Sequence, residues 1–256
     1  MRSLKLTTAL IVALGLLVLG SSSAYAIPMD PTYDDFGDYT GEVDEFGGDG
    51  IPTEYVASSE ADWGGMQVKL RMAAHRRVGS PASPVHTNND GAGTYRAEPG
   101  TYGTYDGEDY EGYAHWNFDY YVDVVGGNLD NLESVKLYYD FDPSVNNDTG
   151  DNGVGVWDLQ SEFGFQQTVA NSQNPNFNFL DENDSTWTHL SQPNMDFNPY
   201  QPGEYSFLLR AEDNQTTSSV ETGIDVQVTP EPATMGLLGL GLVGLVAVGY
   251  TRRRRS

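Results

Sequence analysis

From Met66 to Val228 apolar side chains recur at every second residue, in short runs separated by turn-forming clusters. That period of two constrains the fold more than any other feature, because it belongs to strands with one buried face. The run MQVKLRM sets Met66, Val68, Leu70 and Met72 against Gln67, Lys69 and Arg71. HWNFDYYVDV sets Trp116, Phe118, Tyr120, Val122 and Val124 against Asn117, Asp119 and Asp123. ESVKLYYDF, GEYSFLLRAED and GIDVQV repeat the pattern, and GVGVWDL and SEFGFQQTV are weaker strand candidates. VGGNLDN, DPSVNNDTGDNG and NPYQPG supply the turns between them. No window of the body shows a 3.6-residue apolar stripe of helix length. Residues 61–229 are therefore predicted to form a mainly β ectodomain, an antiparallel β-sandwich of jelly-roll or immunoglobulin-like type.

Two stretches depart from the pattern. Residues 27–60 are acidic, rich in glycine and poor in aliphatic side chains, which predicts a disordered or loosely attached segment. Their aromatic residues, Tyr33, Phe36, Tyr39 and Phe46, are the means by which the segment could be pinned to a surface. Residues 79–112 form a long turn-rich stretch carrying Tyr95, Tyr102, Tyr105 and Tyr110. A loop of that length in a compact domain points to a missed edge hairpin around Thr94 to Tyr105.

The two ends carry targeting chemistry. Arg2 and Lys5 precede an apolar run from Leu10 to Gly20, and Ala24-Tyr25-Ala26 then offers small side chains at both positions that signal peptidase reads. This layout predicts a signal helix over residues 1–26 and a mature chain beginning at Ile27; an uncleaved anchor is the alternative. At the other end, Pro230, Glu231, Pro232, Ala233 and Thr234 form a stiff, extended segment. An uncharged run from Ala233 to Tyr250 follows, 18 residues that as a helix would reach ~27 Å, enough to cross a hydrocarbon core. Arg252, Arg253, Arg254 and Arg255 close it, an orientation device on the cytoplasmic side rather than a nucleic-acid patch.

In that order and at that position, the three parts resemble the PEP-CTERM sorting signal, here residues 230–256 with 230–234 as motif and 235–250 as span. The resemblance implies sorting, not catalysis. It implies recognition by an exosortase, a transient inner-membrane anchor, and delivery to the cell surface or an extracellular matrix rich in polysaccharide. The runs WNFDYYVDV, LESVKLYYDFDPS and YQPGEYSFLLRAED also loosely resemble the bodies of other PEP-CTERM proteins.

Charge narrows the partners. The body, residues 27–229, carries seven basic and 36 acidic residues, a net charge of about −29. Such a field disfavours nucleic acid and anionic membrane and makes divalent cations the natural counter-ions. The chain has no cysteine, which excludes disulfides, thiol chemistry and cysteine-ligated metal.

Candidate chemistry in the body is sparse. The histidines at 75, 86, 115 and 189 form no HExxH or His-x-His pattern, and no Gly-x-Ser-x-Gly occurs. His75, beside Arg76 and Arg77, reads as part of a solvated basic edge. Carboxylates are too abundant for any two to single themselves out as a glycosidase pair. The loop after ESVKLYYDF gathers Asp140, Asp142, Asp148, Asp151 and Asn152, oxygen ligands suited to Ca2+. It is not an EF-hand, because Leu159 stands where the twelfth-position glutamate is required. Trp157 and Trp187 are candidates for stacking on sugar, with burial in the core the default for each. The expectation is a non-enzymatic exported surface or matrix protein without a certain cofactor. A carbohydrate-binding module, calcium-stabilised or not, is the alternative, and an exported hydrolase comes third.

Overall fold

The computed structural model describes residues 26–39, 54–77, 89–105, 108–109, 112–145, 147–151, 153–181 and 190–229. Among them the chain is mainly β, with two sheets and only short helices. The first sheet has the order β1-β2-β3-β7-β10, made of β1 (Asp35–Gly37), β2 (Val56–Trp63), β3 (Met66–Arg76), β7 (Trp116–Val125) and β10 (Thr168–Gln173). The second has the order β11-β9-β8-β12-β13-β4, made of β11 (Leu190–Ser191), β9 (Val154–Asp158), β8 (Ser134–Asp140), β12 (Gly203–Glu212), β13 (Ser219–Val228) and β4 (Thr94–Ala97). Every pairing in these two sheets is antiparallel except that of β4 with β13. A separate ribbon joins β5 (Thr104–Tyr105) to β6 (Glu108–Asp109).

The expected hairpin around Thr94 to Tyr105 is thus two different things. Thr94–Ala97 is a parallel edge strand on β13, and Tyr105 belongs to the small ribbon. SEFGFQQTV is not one strand either. Its start completes a short helix, Leu159–Phe163, whose first turn is capped by the Asp158 carboxylate accepting from Ser161 N–H at 3.0 Å.

The inner faces of the sheets share one core, and the alternation explains why. Val68, Leu70 and Met72 of β3 and Phe118, Tyr120 and Val122 of β7 all point inward and are buried. They meet Phe207, Leu209, Ile224 and Val226 from β12 and β13. Phe118 stacks on Phe207 with ring centroids 4.3 Å apart, and Trp116 meets the same ring edge-on at 5.9 Å. Each such side chain contributes roughly 1.5–3 kcal/mol through burial. Gly155 of β9 is required opposite Tyr139, because a Cβ there would run into the Tyr139 ring.

The described part of residues 27–60 is not loose. Ile27 N–H donates to Thr149 Oγ1 at 3.0 Å, and Thr149 N–H returns to the Ile27 carbonyl at 2.9 Å. Met29 N–H donates to the Asn147 carbonyl at 3.1 Å, and Thr32 and Gly223 exchange backbone bonds at 3.1 and 2.7 Å. Met29 is fully buried on the outer face of the second sheet beside Val154 and Leu208. The strap then crosses to the first sheet, where β1 pairs with β2 and the Tyr39 ring lies 4.1 Å from the Arg71 guanidinium. Backbone pairing, Met29 and the rings of Tyr33, Phe36 and Tyr39, which pack on the core as the sequence suggested, anchor the segment despite its acidic composition. Phe46 lies outside the described residues.

Candidate functional site

Body and tail meet at β13. This strand is held on both sides, by β12 across ten residue pairs and by β4 across four. Its last residue, Val228, is buried between Gly203 and Ala97. Thr229 N–H then donates to the Ala97 carbonyl at 3.0 Å, and the next residue is Pro230. The corner around this exit is tight. Glu204 N–H donates to the Pro143 carbonyl at 3.2 Å, and Gly203 has no room for a Cβ against Pro143.

The acidic loop between β8 and β9 lies beside that exit. Asp140 is fully buried; its Oδ1 accepts from Asp142 N–H at 2.8 Å and its Oδ2 from the Asn147 amide. Asn147 also donates to the carbonyls of Asp142 and Ser144, at 3.1 and 2.8 Å. Asp142 Oδ1 accepts from Ser144 N–H, Asp148 Oδ1 from Gly150 N–H, and Asp151 Oδ2 from Asp148 N–H, all at 2.8–3.0 Å. Both carboxylate oxygens of Asp140 and one each of Asp142, Asp148 and Asp151 thus close successive turns. Asn152 lies outside the described residues, and among the described residues no three histidine or acidic side chains are grouped to hold a metal ion. Burial pushes the Asp140 carboxyl up to about 7, with Asp142 and Asp151 pushing the same way against the loop's hydrogen bonds.

A second buried carboxyl lies on the outer face of the same sheet. Asp225 Oδ1 accepts from Ser206 Oγ at 2.8 Å. Burial, with Glu204, Asp30 and Asp90 nearby, raises its carboxyl to about 7 in spite of that bond.

Trp157 corrects the sugar-stacking expectation. The alternation runs through β9, so its ring turns into the core and is only 2 % exposed. It packs against Tyr120, Phe163 and Phe179, and its indole N–H donates to the Glu162 carboxylate. Trp187 lies outside the described residues. The aromatic surface is elsewhere, where β3 ends. There the Arg77 guanidinium lies 4.3 Å from the Tyr113 ring, and Arg76 Nε donates to the Tyr102 hydroxyl at 2.7 Å.

His75 is likewise not part of a solvated edge. β3 runs to Arg76, so His75 remains in the sheet beside Asn117, its side chain only 10 % exposed. Its Nδ1 lies 2.7 Å from Oδ2 of Asp119, which is 0 % exposed. Burial raises the Asp119 carboxyl, while His75 and the nearby Ser172 hydroxyl favour the ionised form. The alternation alone put Asp119 on the polar face of its strand; what it lacked was the register that brings β3 against β7.

The comparisons bear on the end of β13. Residues 228–255 match the family described as the PEP-CTERM protein-sorting motif. The tail is a PEP-CTERM sorting signal. The match begins on Val228 and Thr229, the last two described residues, so body and signal share two residues. Pro230, Glu231, Pro232, Ala233, Thr234, the expected transmembrane span and Arg252 to Arg255 fall inside the match and outside the described residues. At the other end Ala24 and the expected signal helix before Ala26 also lie outside the described residues. Ala26 is described and exposed, near Gly150. Among the described residues no helix is long and apolar enough to cross a membrane. A PEP-CTERM signal implies an exported chain, transiently anchored in the membrane before processing by an exosortase. A comparison with curated proteins found no match, and one with solved structures found none either.

Proposed function

We propose that this chain is a non-enzymatic surface or extracellular-matrix protein, a β-sandwich body retained with biofilm or exopolysaccharide after PEP-CTERM sorting. The observation that carries the reading is the direct junction of signal and body. One residue, Thr229, separates the last buried strand residue from Pro230. In this reading the body is cargo, first exported by a signal peptide cut after Ala26, then anchored, then released. Deleting residues 230–234 from a tagged chain and fractionating the cells tests it. The deletion should leave the intact chain in the inner membrane, whereas unchanged release with an intact C-terminus would overturn the reading.

The carbohydrate-binding alternative moves from Trp157 to the partly exposed rings of Tyr102 and Tyr113 beside Arg76 and Arg77. Aromatic faces flanked by guanidinium groups suit acidic polysaccharide. Loss of polysaccharide co-sedimentation in Tyr102→Ala and Tyr113→Ala would favour it, and unchanged co-sedimentation would remove it. Calcium at the loop of Asp142, Asp148 and Asp151 would show as a melting temperature lowered by chelator.

A further inference from the structure

We infer that one pole of the body, the pole where both chain ends leave, faces the membrane and rests on the lipid headgroups while the chain is anchored. The inference rests on the tail acting as an anchor and adds which surface of the body meets the bilayer.

Strand register defines the pole. In the second sheet β13 ends at Val228 opposite Gly203, where β12 begins. β8 ends at Asp140 opposite Val154, where β9 begins. The acidic loop between them reaches the β12 start through the Pro143–Glu204 bond. In the first sheet β3 ends at Arg76 opposite Trp116, where β7 begins. Trp116 packs on Tyr205 and Phe197, so the two sheets share this pole. The opposite pole holds the β2–β3 turn, the end of β7 and the β12–β13 turn.

Both chain ends reach the first pole. Thr229 leaves it directly from β13. The strap runs antiparallel to β13 at Thr32 and Gly223, and its beginning, Ile27, bonds to Thr149 in the acidic loop. Ile27 and Thr229 therefore leave the same end of the same sheet, and a chain held by either terminus presents the same surface to the bilayer.

Tether length then fixes the distance. Three residues, Pro230 to Pro232, separate Thr229 from the start of the uncharged run at Ala233. Fully extended, the four steps from Thr229 to Ala233 span at most ~14 Å. The headgroup layer on one side of a bilayer is itself roughly 5–8 Å thick. At most roughly 6–9 Å of tether remains beyond it, too little to hold the body away from the bilayer surface. Charge does not produce this placement, because the pole mixes Asp142, Asp148 and Asp151 with Arg76 and Arg77. Among its described apolar side chains, Val145 at 59 % and Tyr200 at 65 % exposure stand out furthest into solvent. A tyrosine there has the amphipathic form suited to a headgroup layer. Phe165, 76 % exposed, and Val125, 40 % exposed, mark the opposite pole.

The chain has no cysteine, so single labels are unambiguous. The test uses the full chain reconstituted in phosphatidylethanolamine–phosphatidylglycerol vesicles containing a nitroxide-labelled lipid, with a fluorophore on Val145→Cys, Tyr200→Cys, Phe165→Cys or Val125→Cys. All four sites are exposed, so the fold is not at stake. The expected result is flotation of every variant, with loss of fluorescence at positions 145 and 200 and none at 165 and 125. A Gly–Ser spacer inserted between Thr229 and Pro230 should restore the lost fluorescence while flotation persists. Equal quenching at both poles, or none at 145 and 200 in floating chains, would overturn the membrane-facing pole alone. Quenching that survives the spacer would overturn the short tether as its cause. A chain that fails to float would overturn the anchor reading and this inference with it.

Discussion

The two sheets hold the most deeply buried acids of their outer faces in different ways. On the first, Asp119 is fully buried but meets a histidine, and Arg71 lies between the rings of Tyr39 and Tyr121. On the second, Asp140 and Asp225 are buried with amide and hydroxyl donors, and their charged neighbours are other carboxylates. A strap covers part of that face with the apolar contact of Met29 on Leu208 and Val154. The difference separates two roles for buried acids in a strongly acidic body. One is held by a partner that can carry positive charge, and the others are tolerated at a cost that changes with pH.

The comparison breaks most visibly at the first face. His75→Ala leaves Asp119 buried without its imidazole, and urea unfolding at neutral pH should show a loss of about 3 kcal/mol. A loss no larger than that of an exposed substitution would mean that the pair does not hold the face. On the second face the largest effect belongs to the strap. Met29→Ala should cost about 2–3 kcal/mol in thermal melts and speed hydrogen exchange at residues 147–149.

Asp225→Asn sharpens the contrast through pH. The folded carboxyl titrates near 7, against about 3.9 for an unfolded aspartate. Between those values the folded state binds the extra proton, so stability falls as pH rises through the window. The variant should therefore gain about 1–2 kcal/mol at pH near 8 and nothing near pH 4. A pH–stability curve parallel to that of the parent would refute the assignment. The smallest effect is expected from Thr149→Val, which removes the hydroxyl that accepts from Ile27 N–H, at about 0.5–1 kcal/mol in the same melts.

The sequence made the strands legible wherever alternation was strong. β3, β7, β8, β12 and β13 fall on the five clearest runs, because burying one face of a strand imposes that period whatever the neighbours are. The strap was legible only in its aromatic residues, since Tyr33, Phe36 and Tyr39 pack on the core as pins, whereas its backbone pairing is supplied by any residue and leaves no mark in the sequence. β4 was misjudged because a parallel edge pairing leaves no hairpin turn to read. Trp157 took the core position that is the default for a tryptophan on an alternating strand, and only the partner sheet that covers it removes the sugar-stacking option. The sorting signal was readable throughout because it is a linear address, recognised in order along the chain rather than assembled in space.

The clamped position of β13 has a mechanical consequence. A pull on the tail enters the body at Val228 and runs along the strand, not across it. The ten residue pairs with β12 and the four with β4 are then loaded together in shear, rather than opened one at a time from an end. A body towed by its C-terminus through a flowing medium would thus resist extraction at the very strand that bears the load.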